Sequence, residues 1–530
     1  MVDRPTHRNT DMQATEDHAK TTDRSLYDAI PYPRYVFPQT APDNLAVLST
    51  LHGLEPAQVS RCRYLELGCG NGTNIAAFAS RYPDSTFVGI DLAETHIVSA
   101  KQMADELDLK NVEFISADLM NIDPASLGQF DFVVAHGLFS WVPDDVRERV
   151  LELMRQCVKT SGVGYISYNA LPGCYLRKIG WDLLRFGTRK IENPKEKIQA
   201  ALSIADFVAR EIPEDSPHRS IYQLMTTELA SRRPENILHD DLSELNRPFY
   251  FFEFAELLEA HGLKFLCEAD PRSNGDGKLS APARDELDRI SSGPIEREQF
   301  VDFLDFASFR QCVISHAGAQ FSEALSADRL KELFCEWSLR PELADTPRGS
   351  GSTVTFRFED TSVETDHPLT AYILSAMSQT SPLPIGIGNA IDDFYTEMQR
   401  AEMNGISERQ TLDFLLDLYR SGFVRLFTQQ PPIDRESVDK PRVHSFARWQ
   451  AMNGLDTFTT LLGENIAFGN DIVRLLVILL DGTRDRQSVT DEVLDRLQIP
   501  PDQTEKARSS IPEIVNANIE QLRQLGVFAH

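Results

Sequence analysis

Arg63-Tyr-Leu-Glu-Leu-Gly-Cys-Gly-Asn-Gly72 is the stretch from which the fold follows. Its first five residues form an apolar run of strand length, the glycines at 68, 70 and 72 permit a tight turn, and Asn74 to Tyr82 then repeats apolar residues at helical spacing. A glycine-rich turn between a strand and a helix brings bare backbone N–H groups against a ligand at the strand's C-terminal edge. The spacing therefore predicts a ligand crevice at the head of a doubly wound sheet.

Outward from that turn the alternation continues. Thr86-Phe-Val-Gly-Ile-Asp91, Val112-Glu-Phe-Ile-Ser116, Phe130-Asp-Phe-Val-Val134 and Val163-Gly-Tyr-Ile-Ser167 read as further strands. Helical stretches separate them, such as Asp144 to Lys159, where Val146, Val150, Leu151, Met154 and Val158 recur at helical spacing. Strand, helix, strand repeated this way means a parallel sheet covered on both faces. The expected fold class is α/β, with a Rossmann-like doubly wound sheet followed by a mainly helical domain and C-terminal winged-helix-like modules.

At 530 residues the chain is long enough for three or four domains. We expect a disordered tail at 1–24, polar and lacking a secretory apolar core, and a ligand-binding sheet domain at 25–175 that takes further strands from later segments if any join it. A helical regulatory or gating domain is expected at 176–285, with the stretch from Pro271 to Pro282 as linker. Two C-terminal regions follow, 286–430 and 443–530. Leu415, Leu418, Gly422 and Phe423 share their spacing with Ile519, Leu522, Gly526 and Val527, a helix ending at glycine before a short strand. Repeated winged-helix-like units and two unrelated helix caps both fit that pattern.

Lys plus Arg total 53 against 80 Asp plus Glu, a formal charge of −27. Such a surface repels phosphate backbones, so no nucleic-acid partner is expected, and it attracts basic polypeptide. The longest unbroken apolar stretch, Leu475 to Leu480, is far short of a bilayer span, so no membrane span is expected. Seven cysteines without a C-x-x-C pair suggest neither a disulfide framework nor a metal site, and point to a cytoplasmic, reducing setting.

The ligand follows from charge and spacing. A dinucleotide turn would carry its third glycine at position 73, which is Thr73, and the glycines instead fall as G-x-G-x-G with Glu66 two places before the first. A carboxylate there suits a ligand bearing ammonium and sulfonium charges, which describes S-adenosylmethionine, a methyl donor. The turn residues Glu66, Gly68, Cys69, Gly70, Asn71 and Gly72 are therefore candidate cofactor contacts. Asp91, with Leu92, ends the second strand where a carboxylate accepts ribose hydroxyls, and Asp118-Leu119 ends the third where an acid and an apolar neighbour meet adenine. Helix capping by Asp91 and Asp118, and simple exposure of Glu66, are the competing structural readings.

These residues resemble the class I S-adenosylmethionine-dependent methyltransferases, and within them the subfamily in which the methyltransferase domain is followed by a methyltransferase regulatory domain. The resemblance extends through Tyr27-Asp-Ala-Ile-Pro-Tyr-Pro33, His136-Gly-Leu-Phe-Ser-Trp-Val-Pro143, Tyr168-Asn-Ala-Leu-Pro-Gly173, His239-Asp-Asp-Leu242 and Asn246-Arg-Pro-Phe-Tyr-Phe-Phe-Glu-Phe254. A weaker match continues through Phe446-Ala-Arg-Trp449 and Leu480-Asp-Gly-Thr-Arg484. Members include bacterial enzymes that methylate lysines of outer-membrane proteins, so the resemblance implies a protein-lysine methyltransferase acting on a lysine-containing, envelope-type polypeptide. A small-molecule acceptor and a non-catalytic cofactor-binding regulator are the alternatives. One departure is Ala41, in Phe37-Pro-Gln-Thr-Ala-Pro42, where the family's histidine is expected before the proline.

Methyl transfer is an in-line displacement that mainly requires a positioned, desolvated nucleophile. Tyr168 and Asn169 end the fifth strand at the same edge as the glycine turn, where a phenol and an amide hold an amine, or where they pack and turn the chain. His136 follows the fourth strand and either lines the methyl group's surroundings as a catalytic or binding residue or is structural. Trp141 reads as a cofactor wall or as packing. Tyr27, Tyr32 and Tyr35 interleave with prolines as an aromatic lid or a surface strap. Without a second histidine nearby, His239-Asp240-Asp241 reads as a helix start rather than metal ligands. The aromatic run from Phe249 to Phe254 reads as packing rather than base stacking.

Overall fold

The computed structural model describes residues 32–273, 279–343, 353–397, 406–434, 439–497 and 504–529. The expected tail and Tyr27 of the expected lid lie outside the described residues.

Seven strands form the main sheet: β1 (Arg63–Leu67), β2 (Thr86–Asp91), β3 (Val112–Ser116), β4 (Phe130–Ala135), β5 (Val158–Asn169), β6 (Leu263–Glu268) and β7 (Phe309–His316). Their order is β3-β2-β1-β4-β5-β7-β6, with β1 to β5 parallel and β7 antiparallel to both neighbours. Central β1 pairs Leu65 with Val88 on one side and Val133 on the other. Its near-continuous apolar run suits a strand covered on both faces. Tyr64, Phe87 and Phe114 pack with Ile75 and Ile97 of helices Thr73–Arg81 and Glu94–Glu106 on one face. Leu65 and Val133 pack with Phe139, Phe249 and Phe254 on the other.

The last two strands come from beyond residue 175, so the sheet draws on later segments of the chain. A sheet ending at β5 would leave a row of unpaired backbone groups on a strand whose faces are already covered. β7 supplies those partners, from Gly164↔Ile314 to Asn169↔Phe309. Pro271–Ser273 follows β6 and Ser280 caps helix Ala281–Ile290, so the described ends of the stretch expected as an inter-domain linker both fall between β6 and β7. The aromatic run belongs there too, with Phe249, Phe251 and Phe254 fully buried. Helices Cys174–Thr188, Pro194–Glu211 and Arg219–Ser231 remain as an insertion after β5, with a small core around Leu184, Ile198, Leu229 and Leu238. Arg310 on β7 anchors the added edge, donating to Glu268, Glu298 and Asp302 at 2.8, 3.0 and 2.9 Å.

Beyond the sheet, one core gathers Trp337, Phe356, Ile373 and Leu415, and another gathers Val443, Phe458, Leu476, Val493 and Ile519. Helix Glu408–Arg420 is followed by Gly422 at φ +78° and a strand, Val424–Phe427. The final helix ends before Gly526 at φ +68°, after which Phe528 bridges to Val443. The last unit also reaches back to the sheet domain. Trp449 Nε1 donates to Glu106 at 2.7 Å, and Asn465 Nδ2 donates to the Val36 carbonyl at 2.8 Å.

Candidate active site

At the C-terminal ends of β1, β2, β3 and β4 the chain encloses a cavity of about 660 Å3. The glycine turn forms one wall. Gly70, at φ +53°, has open space where a Cβ would stand, whereas a Cβ on Gly72 would meet the Phe114 ring at 2.6 Å. Gly70 thus keeps backbone accessible to a ligand, while Gly72 allows helix Thr73–Arg81 to sit close to the sheet. Gly68 lines the cavity, and its N–H donates to the Ile90 carbonyl.

Asp91 lines the cavity with its carboxylate fixed by two backbone donors, Gly70 N–H at 2.8 Å and Ala93 N–H at 2.9 Å. Leu92, Asp118 and Leu119 line it as well, and Asp118 also accepts from the Met120 N–H at 3.0 Å. Capping and ligand contact are therefore compatible roles for these aspartates. Trp141 and Tyr32 complete this group of lining residues.

Four of the candidate turn residues lie outside the cavity lining: Gly72, which packs on Phe114, and Cys69, Asn71 and Glu66. Cys69 is buried, and a Cβ on Gly89 of β2 would meet its Sγ at 2.9 Å. Asn71 donates to the Tyr32 carbonyl at 3.3 Å, and its Oδ1 accepts from the Thr73 hydroxyl at 2.6 Å. Glu66 is buried against Asn74, whose Nδ2 also donates to Thr40 and whose Oδ1 accepts the Phe37 N–H at 2.9 Å. The segment from Tyr32 to Thr40 is thereby tied to the turn through Asn71 and Asn74, with Ala41 making no side-chain tie of its own.

His136 lines the cavity under Phe37, ring centroids 3.9 Å apart. Its Nδ1 sits 2.9 Å from the Tyr165 hydroxyl and 3.3 Å from Ser167 Oγ. Burial pushes its imidazole down to about 4, so it is neutral at ordinary pH. It is a poor proton acceptor there, and its hydrogen bonds orient it as wall. Asn169 also lines the cavity, its Nδ2 donating to Asn246 Oδ1 at 2.9 Å.

Tyr168 is the clear correction among the candidate catalytic residues. Strand alternation turns it to the opposite face from Tyr165 and Ser167. It is fully buried against Phe254, at a centroid distance of 4.4 Å, and burial pushes its phenol well up.

Sequence reasoning missed the far wall. Arg177, Arg232, Asn236, Asp240 and Leu245 of the helical insertion and its return, and Phe309 of β7, face the same space. Arg232 donates to both Asp241 oxygens at 3.0 and 2.8 Å, and Trp181 Nε1 adds a third bond at 3.0 Å. Ile237–Asp241 is a π-helical turn that closes a helical segment rather than starting one, and His239 packs on Tyr32 at 5.7 Å. Among the described residues no cluster of three or more His, Cys, Asp or Glu is arranged to hold a metal ion. The quoted motif His239-Asp-Asp-Leu242 was the available signal, and only the fold shows that it reaches the cavity.

Residues 65–162 match the family model described as methyltransferase domain, 233–316 the predicted methyltransferase regulatory domain, and 439–526 the PKMT C-terminal winged helix domain. An uncharacterized protein of Rickettsia prowazekii is 26% identical over 90% of this chain and 87% of its own length. An uncharacterized protein of Synechocystis is 31% identical over 52% of this chain and 54% of its own. Among solved structures, PKMT2 from Rickettsia typhi aligns over 94% of this chain and 100% of that one, with a TM-score of 0.81 and 23% identity, a likeness of fold. The same protein has been solved in complex with AdoHcy, with a TM-score of 0.80 to this chain.

Fold, turn and matched domain together define the class: this is a Rossmann-like, S-adenosylmethionine-dependent methyltransferase. More narrowly, its methyltransferase domain is followed by a methyltransferase regulatory domain and a C-terminal winged-helix domain. The regulatory match spans β6 and β7, so that segment is structurally part of the sheet. No described helix is long and apolar enough to cross a membrane.

Proposed function

We propose that the protein methylates the side-chain amine of lysine in a polypeptide substrate. The observation that carries this reading is the shared cavity. Gly70 and Asp91 lie on one wall, with Asn169 at the sheet edge and Asp240 on the helical insertion. An amide and a carboxylate there are suited to an ammonium group and to receiving its proton before attack. The two neighbouring arginines do not defeat that role, because Arg232 Nη1 donates to both Asp241 oxygens and Arg177 lies 3.9 Å from Asp241.

The residues fit the donor. Accessible backbone at Gly70, the Asp91 carboxylate at the end of β2, and Asp118 beside Leu119 offer positions for the amino-acid arm, ribose and adenine. S-adenosylmethionine supplies the methyl group on an already activated carbon. The protein's work is then to hold, orient and dry the amine. Phe37, His136, Trp141 and Phe309 exclude water, Asn169 orients the nitrogen through its Asn246-tethered amide, and an Asp240 carboxylate oxygen accepts the proton. The helical insertion serves as the gate, and buried thiols throughout the chain suit a cytoplasmic setting. The similarity in fold to the Rickettsia typhi protein supports the protein-acceptor reading, and lysine-containing envelope polypeptides are its first substrates to test.

The test is incubation with methyl-labelled S-adenosylmethionine and fractionated bacterial lysate that includes envelope proteins. Protease-sensitive label that hydrolyses to methyl-lysine is expected. Label confined to small molecules would overturn the acceptor assignment, and saturable cofactor binding without any transfer would favour a regulator.

A further inference from the structure

Phe309 faces both ways at the cavity mouth. Its ring meets His136 edge-on at 6.3 Å, yet the residue is 43% exposed. Phe306, Leu304 and Phe303 precede it on the same turn and helix end and are also exposed, Leu304 at 60%. Phe303 lies 5.8 Å from Tyr250, which stacks on Phe252 at 5.6 Å. Phe252, Phe303 and Phe300 line a surface groove of about 690 Å3. Exposed apolar side chains therefore recur from the methyl-transfer cavity at Phe309, through Phe306, which lines a separate groove beside Leu176, and Phe303 to helix Phe251–Ala260. Exposed apolar side chains grouped in this way mark an interaction site more often than scattered ones do.

The backbone holds this path open at a cost. Phe306 caps its helix at φ +53°, ψ +48°, a left-handed conformation that is unfavourable for a bulky residue. A tight junction enforces it. Gly173 N–H donates to the Ala307 carbonyl at 2.8 Å, and a Cβ on Gly173 would lie 2.4 Å from the Phe306 carbonyl oxygen. The turn fixes the chain so that Phe306 and Phe309 both remain outward while Arg310 is anchored inside.

Charge selects the occupant. Glu256, Glu259 and Glu296 rim the groove against one lysine, Lys264, Asp305 ends the helix beside Phe306, and the chain carries −27 overall. Two copies meeting through this face would bring like-charged rims together. A lysine-bearing polypeptide meets the same rim favourably.

We propose that this aromatic path is the docking strip for the substrate polypeptide, which it selects by an aromatic or aliphatic residue a few positions from the acceptor lysine. The inference rests on the protein-acceptor reading and adds a sequence preference to it. The strip holds the flanking residue while the lysine side chain enters past Phe309.

The test uses the full chain and short synthetic peptides with one lysine, identical except for Phe or Gly at a single flanking position. Binding is read by fluorescence anisotropy, and transfer by labelled S-adenosylmethionine. The variants are the double substitution Phe303→Ser/Leu304→Ser and, as a control on another exposed apolar residue, Leu339→Ser. The Phe peptide is expected to bind about ten-fold or more tightly than its Gly twin. The double variant should erase that preference while cofactor affinity and the Leu339→Ser control stay unchanged. Equal binding of the two peptides, or a preference that survives the double variant, would overturn the proposal. So would sedimentation showing a dimer that the double variant dissolves, because the face would then belong to a second copy. Selective peptide binding without transfer to any peptide would uphold the strip and instead defeat the lysine-methylation reading.

Discussion

Asn74 donates its Nδ2 to both carboxylate oxygens of Glu66, at 3.1 and 3.2 Å. Glu66 is otherwise buried, and burial pushes its carboxyl up to about 8, with the nearby Asp91 charge adding to the effect and the Asn74 bond opposing it. The folded protein therefore binds this proton more tightly than the unfolded chain, whose Glu titrates near about 4.3. The stabilisation is full below the unfolded value and is lost as pH rises toward about 8. Thermal melts across that window should show Glu66→Gln losing less Tm than the wild type. Parallel Tm curves for the two proteins would rule the assignment out.

The glycines at 70 and 72 should separate binding from folding. Gly72→Ala places a methyl against Phe114 at a left-handed position, and should cost about 1–3 kcal/mol in denaturant unfolding. Gly70→Arg enters open space at the cavity wall and should abolish S-adenosylmethionine binding in calorimetry while unfolding stays cooperative. Retained cofactor affinity in Gly70→Arg would remove the turn from the site.

The parallel half of the sheet was legible because Arg63–Leu67, Thr86–Asp91 and their successors are apolar runs bounded by polar strand ends and separated by helical periodicity. Asp91 could be placed at the edge where the cavity opens for the same reason, since topology fixes where a parallel strand ends, and Asp118 follows two residues beyond the end of β3. The antiparallel half was not legible. Phe309–His316 was not read as a strand, and only long-range pairing with β5 across the helical insertion assigns it to the sheet. Asp240 was hidden in the same way, since its approach to Gly70 depends on how the insertion folds back. Tyr168 failed by one step of strand alternation, a detail that depends on which face the neighbouring helices cover.

Tyr168 should accordingly be a core residue. Its hydroxyl lies 4.0 Å from Cys312 Sγ and its ring packs on Phe254. Tyr168→Phe should leave kcat and KM near wild type, because no cavity-facing group is removed. Tyr168→Ala should lower unfolding free energy by about 3–5 kcal/mol, the usual range for truncating a buried aromatic. A large fall in kcat for Tyr168→Phe with unchanged stability would return the phenol to the chemistry.

Asp240 gives the proposed reaction its pH signature. Burial pushes its carboxyl up to about 6, the adjacent Asp241 charge adds to this, and Arg232, Arg177 and a hydrogen bond from Asn236 pull against it. Tyr35 also feels Asp240, but its phenol is itself raised and stays protonated through this range. His136, at about 4, titrates below it. An Asp240 that must be ionised to hold and deprotonate an amine makes kcat/KM rise with pH through about 6 and then level. Asp240→Asn should lose that limb and lower kcat/KM by about 100-fold or more, with cofactor affinity unchanged and partial recovery in Asp240→Glu. Cofactor affinity separates this from a merely structural role, because collapse of the insertion would disturb Tyr32 through His239 and weaken binding as well. A limb near 6 that persists in Asp240→Asn would assign the proton to another group.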